Sequence, residues 1–208
     1  MRVLVCPAPF KGVLTAAQAA EALAEGVRAA GHWALVQPLA DGGEGTLDAV
    51  LARGGERRAA RVCGPYGGSV DAGWALLPGA VAVVEMAQAS GLALAGPLPR
   101  DLAAATSYGT GQLVAAAREA GARKLIVGIG GSATNDGGLG ALRALGARFW
   151  GADGGEITGA EGLERLERID GFAWDLETIA ACDVDNPLTG PAGATRVFGP
   201  QKGGTPAA

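Results

Sequence analysis

The sequence predicts an α/β fold, and three observations carry that reading. Residues 1–55 alternate strand, helix, strand, loop and helix, the pattern of a parallel sheet. Residues 59–85 then read as three strands with only turns between them, a meander that starts a second substructure near residue 60. Residues 127–138 read V-G-I-G-G-S-A-T-N-D-G-G, between an apolar strand and an apolar helix. That junction is where α/β proteins hold phosphates.

Each element has its own signal. Residues 2–6 are apolar and strand-like. Thr15-Ala16-Ala17-Gln18 matches a capping box and opens an alanine-rich helix to about residue 30, stopped by Gly31. Residues 34–39 form the second strand. Asp41-Gly42-Gly43-Glu44-Gly45 is a loop, and Thr46 is expected to cap a helix to about residue 53. Strands are expected at 59–63, 70–77 and 81–85, with turns at Gly64-Pro65-Tyr66-Gly67-Gly68 and Pro78-Gly79. A helix over 111–120 and a strand over 124–129 restore the βα alternation. A short helix is expected over 139–145, a polar loop with one short helix over 153–170, a strand over 178–184, and loop from 199 onward.

Composition excludes several functions. The 208 residues suffice for one full core or two small ones. The net charge of −4, with no basic run, argues against nucleic-acid binding. No apolar run approaches the ~18 residues of a membrane span. The start, M-R-V-L-V-C-P, is broken too early by proline to read as a signal peptide. Cys6, Cys63 and Cys182 are too far apart for a disulfide framework or a zinc site, so a cytoplasmic setting is expected. His32 is the only histidine, which excludes Ser-His-Asp and multi-histidine metal chemistry.

The chemistry-bearing residues fall in loops. The 127–138 segment is neither a P-loop nor the dinucleotide fingerprint, because Ala133 stands where a third glycine belongs. Its five glycines permit close backbone approach, while Gly130, Gly131, Ser132, Thr134, Asn135 and Asp136 offer N–H, hydroxyl, amide and carboxylate groups. Asp136 is read either as a Mg²⁺ ligand or hydroxyl-orienting group, or as a helix N-cap. Asp41 and Glu44 follow a strand and face either a ligand or simply the solvent of a β-to-α turn. Asp183 and Asp185 follow another strand, and alternation places them on one face, where a cation relieves their repulsion. Lysine is scarce, with three against fourteen arginines. Lys11 and Lys202 both lie in glycine-flanked loops where a compact ammonium can meet a phosphate. Together these are the parts of phosphoryl transfer, which needs positioning and electrostatics and no histidine. Thr106-Ser107-Tyr108-Gly109-Thr110-Gly111 and Glu85 read by default as capping and core-edge groups.

Four motifs in register resemble the glycerate kinase type-1 family: P-L-A-D-G-G-E-G-T at 38–46, the glycine-rich segment at 128–138, A-C-D-V-D-N-P-L at 181–188 and F-G-P-Q-K-G at 198–203. The resemblance implies ATP-dependent phosphorylation of D-glycerate, mostly at the 2-hydroxyl. It also implies two interleaved α/β domains, one a flavodoxin-like parallel sheet with flanking helices, incomplete here, and one with a mixed sheet. The expected division is 1–60 and 61–208. Lys11 and Lys202 would contact phosphate or the glycerate carboxylate, and the 130–136 loop would hold phosphate. Asp41, Glu44, Asp183 and Asp185 would supply the acceptor-activating carboxylate and the metal ligands, with Asp183 and Asp185 assigned to Mg²⁺. The expected partners are ATP, Mg²⁺ and D-glycerate, with a homo-oligomer allowed and neither nucleic acid nor membrane.

Two departures stand out. The family's first loop usually reads P-D-S-F-K-G, and here Ala8 and Pro9 replace the acid and the hydroxyl. Family members also continue well past F-G-P-Q-K-G, so the rest of the flavodoxin-like domain is expected outside this sequence. The alternatives are a truncated or degenerate paralogue that binds ligand without turnover, and a kinase for another small hydroxy acid.

Overall fold

The computed structural model describes residues 1–10, 13–97 and 100–205. Lys11, one of the expected site residues, lies outside them. Among the described residues the chain forms a mixed α/β structure with three sheets of two, five and three strands.

β1 (Arg2–Val5) and β2 (Trp33–Val36) pair in parallel, joined by α1 (Ala16–Ala29). The expected capping box is present: Thr15 Oγ1 accepts from Gln18 N at 3.1 Å, and Gln18 Oε1 accepts from Thr15 N at 2.9 Å. Ala20 and Ala24 let α1 lie close on Val5. Gly31, at φ +76, ends the helix where other residues are strained.

α2 (Thr46–Leu51) differs from expectation at its start. Its N-cap is Gly45, at φ +90, and the Thr46 hydroxyl instead accepts from Gly42 N at 3.1 Å. The hydroxyl therefore closes the 42–46 loop upon itself.

β3 (Glu56–Cys63), β4 (Ser69–Leu77) and β5 (Val81–Glu85) form the antiparallel meander. After β5 come the short α3 (Ala87–Ser90) and then α4 (Tyr108–Glu119), which leads into β6 (Lys124–Gly128), parallel to β5. β10 (Glu177–Ala181) adds in parallel beyond β6, so the sheet order is β10-β6-β5-β4-β3. Residue 60, where the two units were expected to divide, lies inside β3, all of which pairs with β4.

The five-stranded sheet is covered on both faces. On one, Val84 and Trp74 pack with Leu113, Val114 and Leu125 under α4. On the other, Val83 and Ala75 pack with Leu47 of α2. β5 is central and buried on both sides, which explains its uninterrupted V-A-V-V. Each such buried leucine or valine contributes about 1.5–3 kcal/mol.

The polar segment expected over 153–170 is instead largely structured. β7 (Arg148–Gly151), β8 (Glu156–Ile157) and β9 (Leu166–Asp170) form an antiparallel sheet, with a 3₁₀ helix at Ala160–Arg165. Its small core joins Phe149 and Ile157 to Leu139 of α5 (Leu139–Ala144). The outer face is polar, with the Arg148 and Arg168 guanidiniums over the Trp150 ring. One inward apolar residue per short strand is too little for periodicity to register. The expected loop from 199 onward is also corrected in part: α6 (Ala194–Phe198) runs into a 3₁₀ turn at Pro200–Lys202. Among the described residues no helix is long and apolar enough to cross a membrane.

Candidate active site at the carboxyl edge of the sheet

The parallel strands β5, β6 and β10 end level with one another. Glu85 and Ala181 both stand opposite Gly128. Three loops leave this edge, and the 41–45 loop lies across them. Gly130 N donates to Gly42 O at 3.0 Å, Met86 N to Gly128 O at 2.8 Å, and Ile129 N to Ala181 O at 3.2 Å.

This stacking requires bare backbone. A Cβ on Gly130 would lie 2.7 Å from Gly43 Cα, and one on Gly128 would press into the Gly42 carbonyl. Gly131, Gly137 and Gly138 have φ of +70, +58 and +78. The five glycines of the 128–138 segment thus have packing or turn reasons within the chain itself.

Asp136 is fully engaged. It is buried, and Oδ2 accepts from Ser107 N at 2.8 Å, Ser107 Oγ at 2.7 Å and Gly140 N at 3.1 Å. Oδ1 accepts from Gly138 N at 3.1 Å. Ser107 Oγ accepts in turn from Ala141 N at 2.9 Å. Four donors on a buried carboxylate tie the loop to the starts of α4 and α5. The N-cap residues of these helices are Ser107 and Gly138, and Asp136 accepts from the backbone N–H of both.

The rest of the loop meets the late part of the chain. The Lys202 ammonium donates to Ser132 Oγ at 2.8 Å and to the Thr134 carbonyl at 2.7 Å, so one of its three donors remains. Burial pushes Lys202 below the ordinary lysine range, and the Asp136 charge opposes that shift. The Asn135 amide and the Thr195 hydroxyl exchange hydrogen bonds at 3.0 and 3.1 Å.

The acidic candidates are exposed. Asp41 Oδ1 accepts from Gly43 N at 2.9 Å, an Asx turn that shapes the loop. The Glu44 side chain lies over Gly131, with Cγ 3.2 Å from where a Cβ on that glycine would be. Glu44, Gly131, Ser132 and Lys202 therefore form one continuous surface. The strand expected to 184 is shorter: β10 ends at Ala181, and Asp183 and Asp185 follow it outside the ladder. They lie in an exposed loop beside the 41–45 loop, since Gly42 packs against Ala181.

Among the described residues no three His, Cys, Asp or Glu side chains gather as an all-protein metal site. Mg²⁺ is ordinarily held by one or two carboxylates, with water and phosphate oxygens completing its shell. Asp183 and Asp185 fit that mode. The remaining Lys202 donor and the Ser132 hydroxyl are the donor types that a phosphate takes.

Ser107 and Glu85, expected as capping and core-edge groups, stand at this edge: Ser107 is the N-cap of α4. Glu85 is 1% exposed and takes hydrogen bonds from Leu47 N at 2.9 Å and Gly45 N at 3.3 Å. The available signal was a carboxylate ending an otherwise apolar strand.

The fold and this edge define an α/β protein with polar loops gathered at the ends of parallel strands, the usual ligand position in such sheets. The glycerate kinase family model matches residues 3–208, and the chain belongs to that family. It is 46% identical to the glycerate kinase of Bacillus subtilis over 99% of this chain and 56% of that protein. It is 45% identical to the glycerate 2-kinase of Escherichia coli over 100% of this chain and 57% of that protein. A crystal structure of a protein assigned as glycerate kinase 2 from Salmonella typhimurium LT2 superposes with a TM-score of 0.83 at 45% identity, covering 100% of this chain and 58% of that one. The chain thus spans somewhat more than half the length of these relatives.

Proposed function

We propose that this chain carries the phosphate-handling part of an ATP- and Mg²⁺-dependent D-glycerate kinase. The observation that supports it most is Lys202, its ammonium lodged on Ser132 and Thr134 at the carboxyl edge of β5, β6 and β10. Family membership and the names of the relatives support the substrate.

In this reading Lys202 and the 130–136 loop hold the phosphates of ATP, and Lys11 takes a phosphate or the glycerate carboxylate. Asp183 and Asp185 hold Mg²⁺, which when bound neutralises charge on the phosphates. Asp41 or Glu44 accepts the proton of the attacking hydroxyl. The bond from the γ-phosphorus to the ADP oxygen breaks as the bond to the glycerate oxygen forms. Asp136 holds the loop in shape through its four donors. The cytoplasm is the proposed setting, where the free Cys6, Cys63 and Cys182 stay reduced.

The test is ADP release from ATP with Mg²⁺ and D-glycerate, using the chain expressed from its complete reading frame. Absence of turnover by a folded preparation overturns the proposal. A second reading, ligand binding without turnover, is favoured by Ala8 and Pro9 standing in place of an acid and a hydroxyl. Calorimetry showing nucleotide or glycerate binding with no ADP release would select it. A panel of small hydroxy acids identifies any other acceptor.

A further inference from the structure

We propose that Glu85 is a positioning residue that sets the location of Glu44 from the end of β5, an inference that rests on the kinase reading of the site. Helix α2 has no side-chain cap of its own, because its N-cap is Gly45. Glu85 supplies the missing acceptor from about forty positions away in sequence, Oε1 to Gly45 N and Oε2 to Leu47 N. The Gln88 amide donates to Oε1 at 3.5 Å. The carboxylate thus grips the backbone immediately after Glu44 and again three residues after it.

That grip matters because Glu44 stands between two glycines. Gly43 and Gly45 give the backbone wide freedom, and Gly45 uses it at φ +90. Hydrogen bonds remove the freedom: Gly43 N on Asp41, Gly42 N on Thr46, Thr46 N on Gly43 O, Gly130 N on Gly42 O, and the Glu85 pair. The Glu85 pair holds the backbone downstream of Glu44 to a strand of the sheet. It leaves Glu44 over Gly131, next to Ser132 and Lys202.

The placement is electrostatically expensive. Burial holds the Glu85 carboxyl above the ordinary carboxylate range, against the lowering effect of its hydrogen bonds from Leu47, Gln88 and Gly45. The charged group facing it is Asp48 of α2, which adds to the rise and is itself paired with Arg57 of β3. A neutral glutamine of the same shape avoids that penalty but offers one acceptor oxygen where the backbone presents two donors.

The test is Glu85→Gln in the complete reading frame, with Thr15→Ala as a control that removes the cap of a different helix, α1. Glu85→Gln is expected to lower kcat for D-glycerate about 100-fold, the scale of a small misplacement of a catalytic group. The KM for ATP should stay within twofold, and amide exchange should rise at Gly45 and Leu47 alone. Thr15→Ala should lower stability and leave kcat per folded molecule unchanged. A Glu85→Gln protein with kcat per folded molecule within twofold of the parent overturns the proposal. Should Glu85→Gln not fold, Glu85→Asp keeps the charge on a shorter arm, and the same kcat criterion applies. Should the parent itself show no turnover, the kinase reading fails by itself, and exchange at Gly45 and Leu47 decides the anchoring: unchanged rates overturn it and a selective rise supports it.

Discussion

The two sides of the carboxyl edge are built in opposite ways. The 128–138 loop is held from within: Asp136 collects four donors, and Lys202 and Thr195 brace Ser132, Thr134 and Asn135. The 182–187 segment beyond β10 has left the ladder, and it carries Asp183 and Asp185 into solvent. The difference teaches where preorganisation is useful. A surface that receives a phosphate gains from fixed donors, which need no rearrangement when charge arrives. Carboxylates that receive a hydrated cation can stay exposed, because water and phosphate complete the shell.

Four substitutions sharpen or break that contrast. Lys202→Met should have the largest effect, a fall in kcat of about 10³-fold, as when one preorganised donor to a developing charge is lost. Steady-state kinetics of the folded variant measure it, and a value near that of the parent would remove Lys202 from the site. Asp136→Asn should come next and act on stability, by about 2–4 kcal/mol, because it leaves buried donors poorly matched. Urea midpoints with an unchanged m-value would show it. Asp183→Asn combined with Asp185→Asn should raise the Mg²⁺ concentration for half-maximal rate by about 10–100-fold. The urea midpoint should hardly move. A large stability loss there would mean that the two sides are built alike.

The smallest effect concerns pH. Lys202 is pushed below the ordinary lysine range by burial, so the unfolded chain binds its proton more tightly than the folded one. Its contribution to stability is present above the ordinary lysine value and is lost as pH falls through the lowered value. In Lys202→Met this component of the alkaline pH dependence should vanish, which urea midpoints collected across that range would reveal. The Glu85 sign is the reverse. A raised carboxylate contributes stability below its unfolded pKa and loses it as pH rises through the folded value.

Much of the fold was legible because its signals are local. The strand expected at 81–85 is β5 to the residue, and the Thr15–Gln18 box opens α1 as read. β7, β8 and β9 were hidden because Phe149 and Ile157 find their partner Leu139 through tertiary packing, not through a repeating pattern. In the site, the scarcity of lysine and the glycines flanking Lys202 drew attention to it, but its contacts with Ser132 and Thr134 are non-local and invisible in the sequence. The strand expected to 184 stops at Ala181, because its last ladder partner is Gly128 and the apolar run alone does not show where pairing ends. Glu85 was legible as a core-edge group, and it is buried as such, but its partners Gly45 and Leu47 lie about forty residues away and no local pattern names them.

The bond from Lys202 to Ser132 spans 70 residues, and this has a consequence for the growing polypeptide. Ser132 leaves the ribosome well before its brace exists. At ordinary elongation speeds the delay is on the order of 3–15 s. During that interval β7 to β10 are still being made and the loop lacks its latch, so on the proposed reading ribosome-bound chains that stop short of residue 202 should not retain nucleotide.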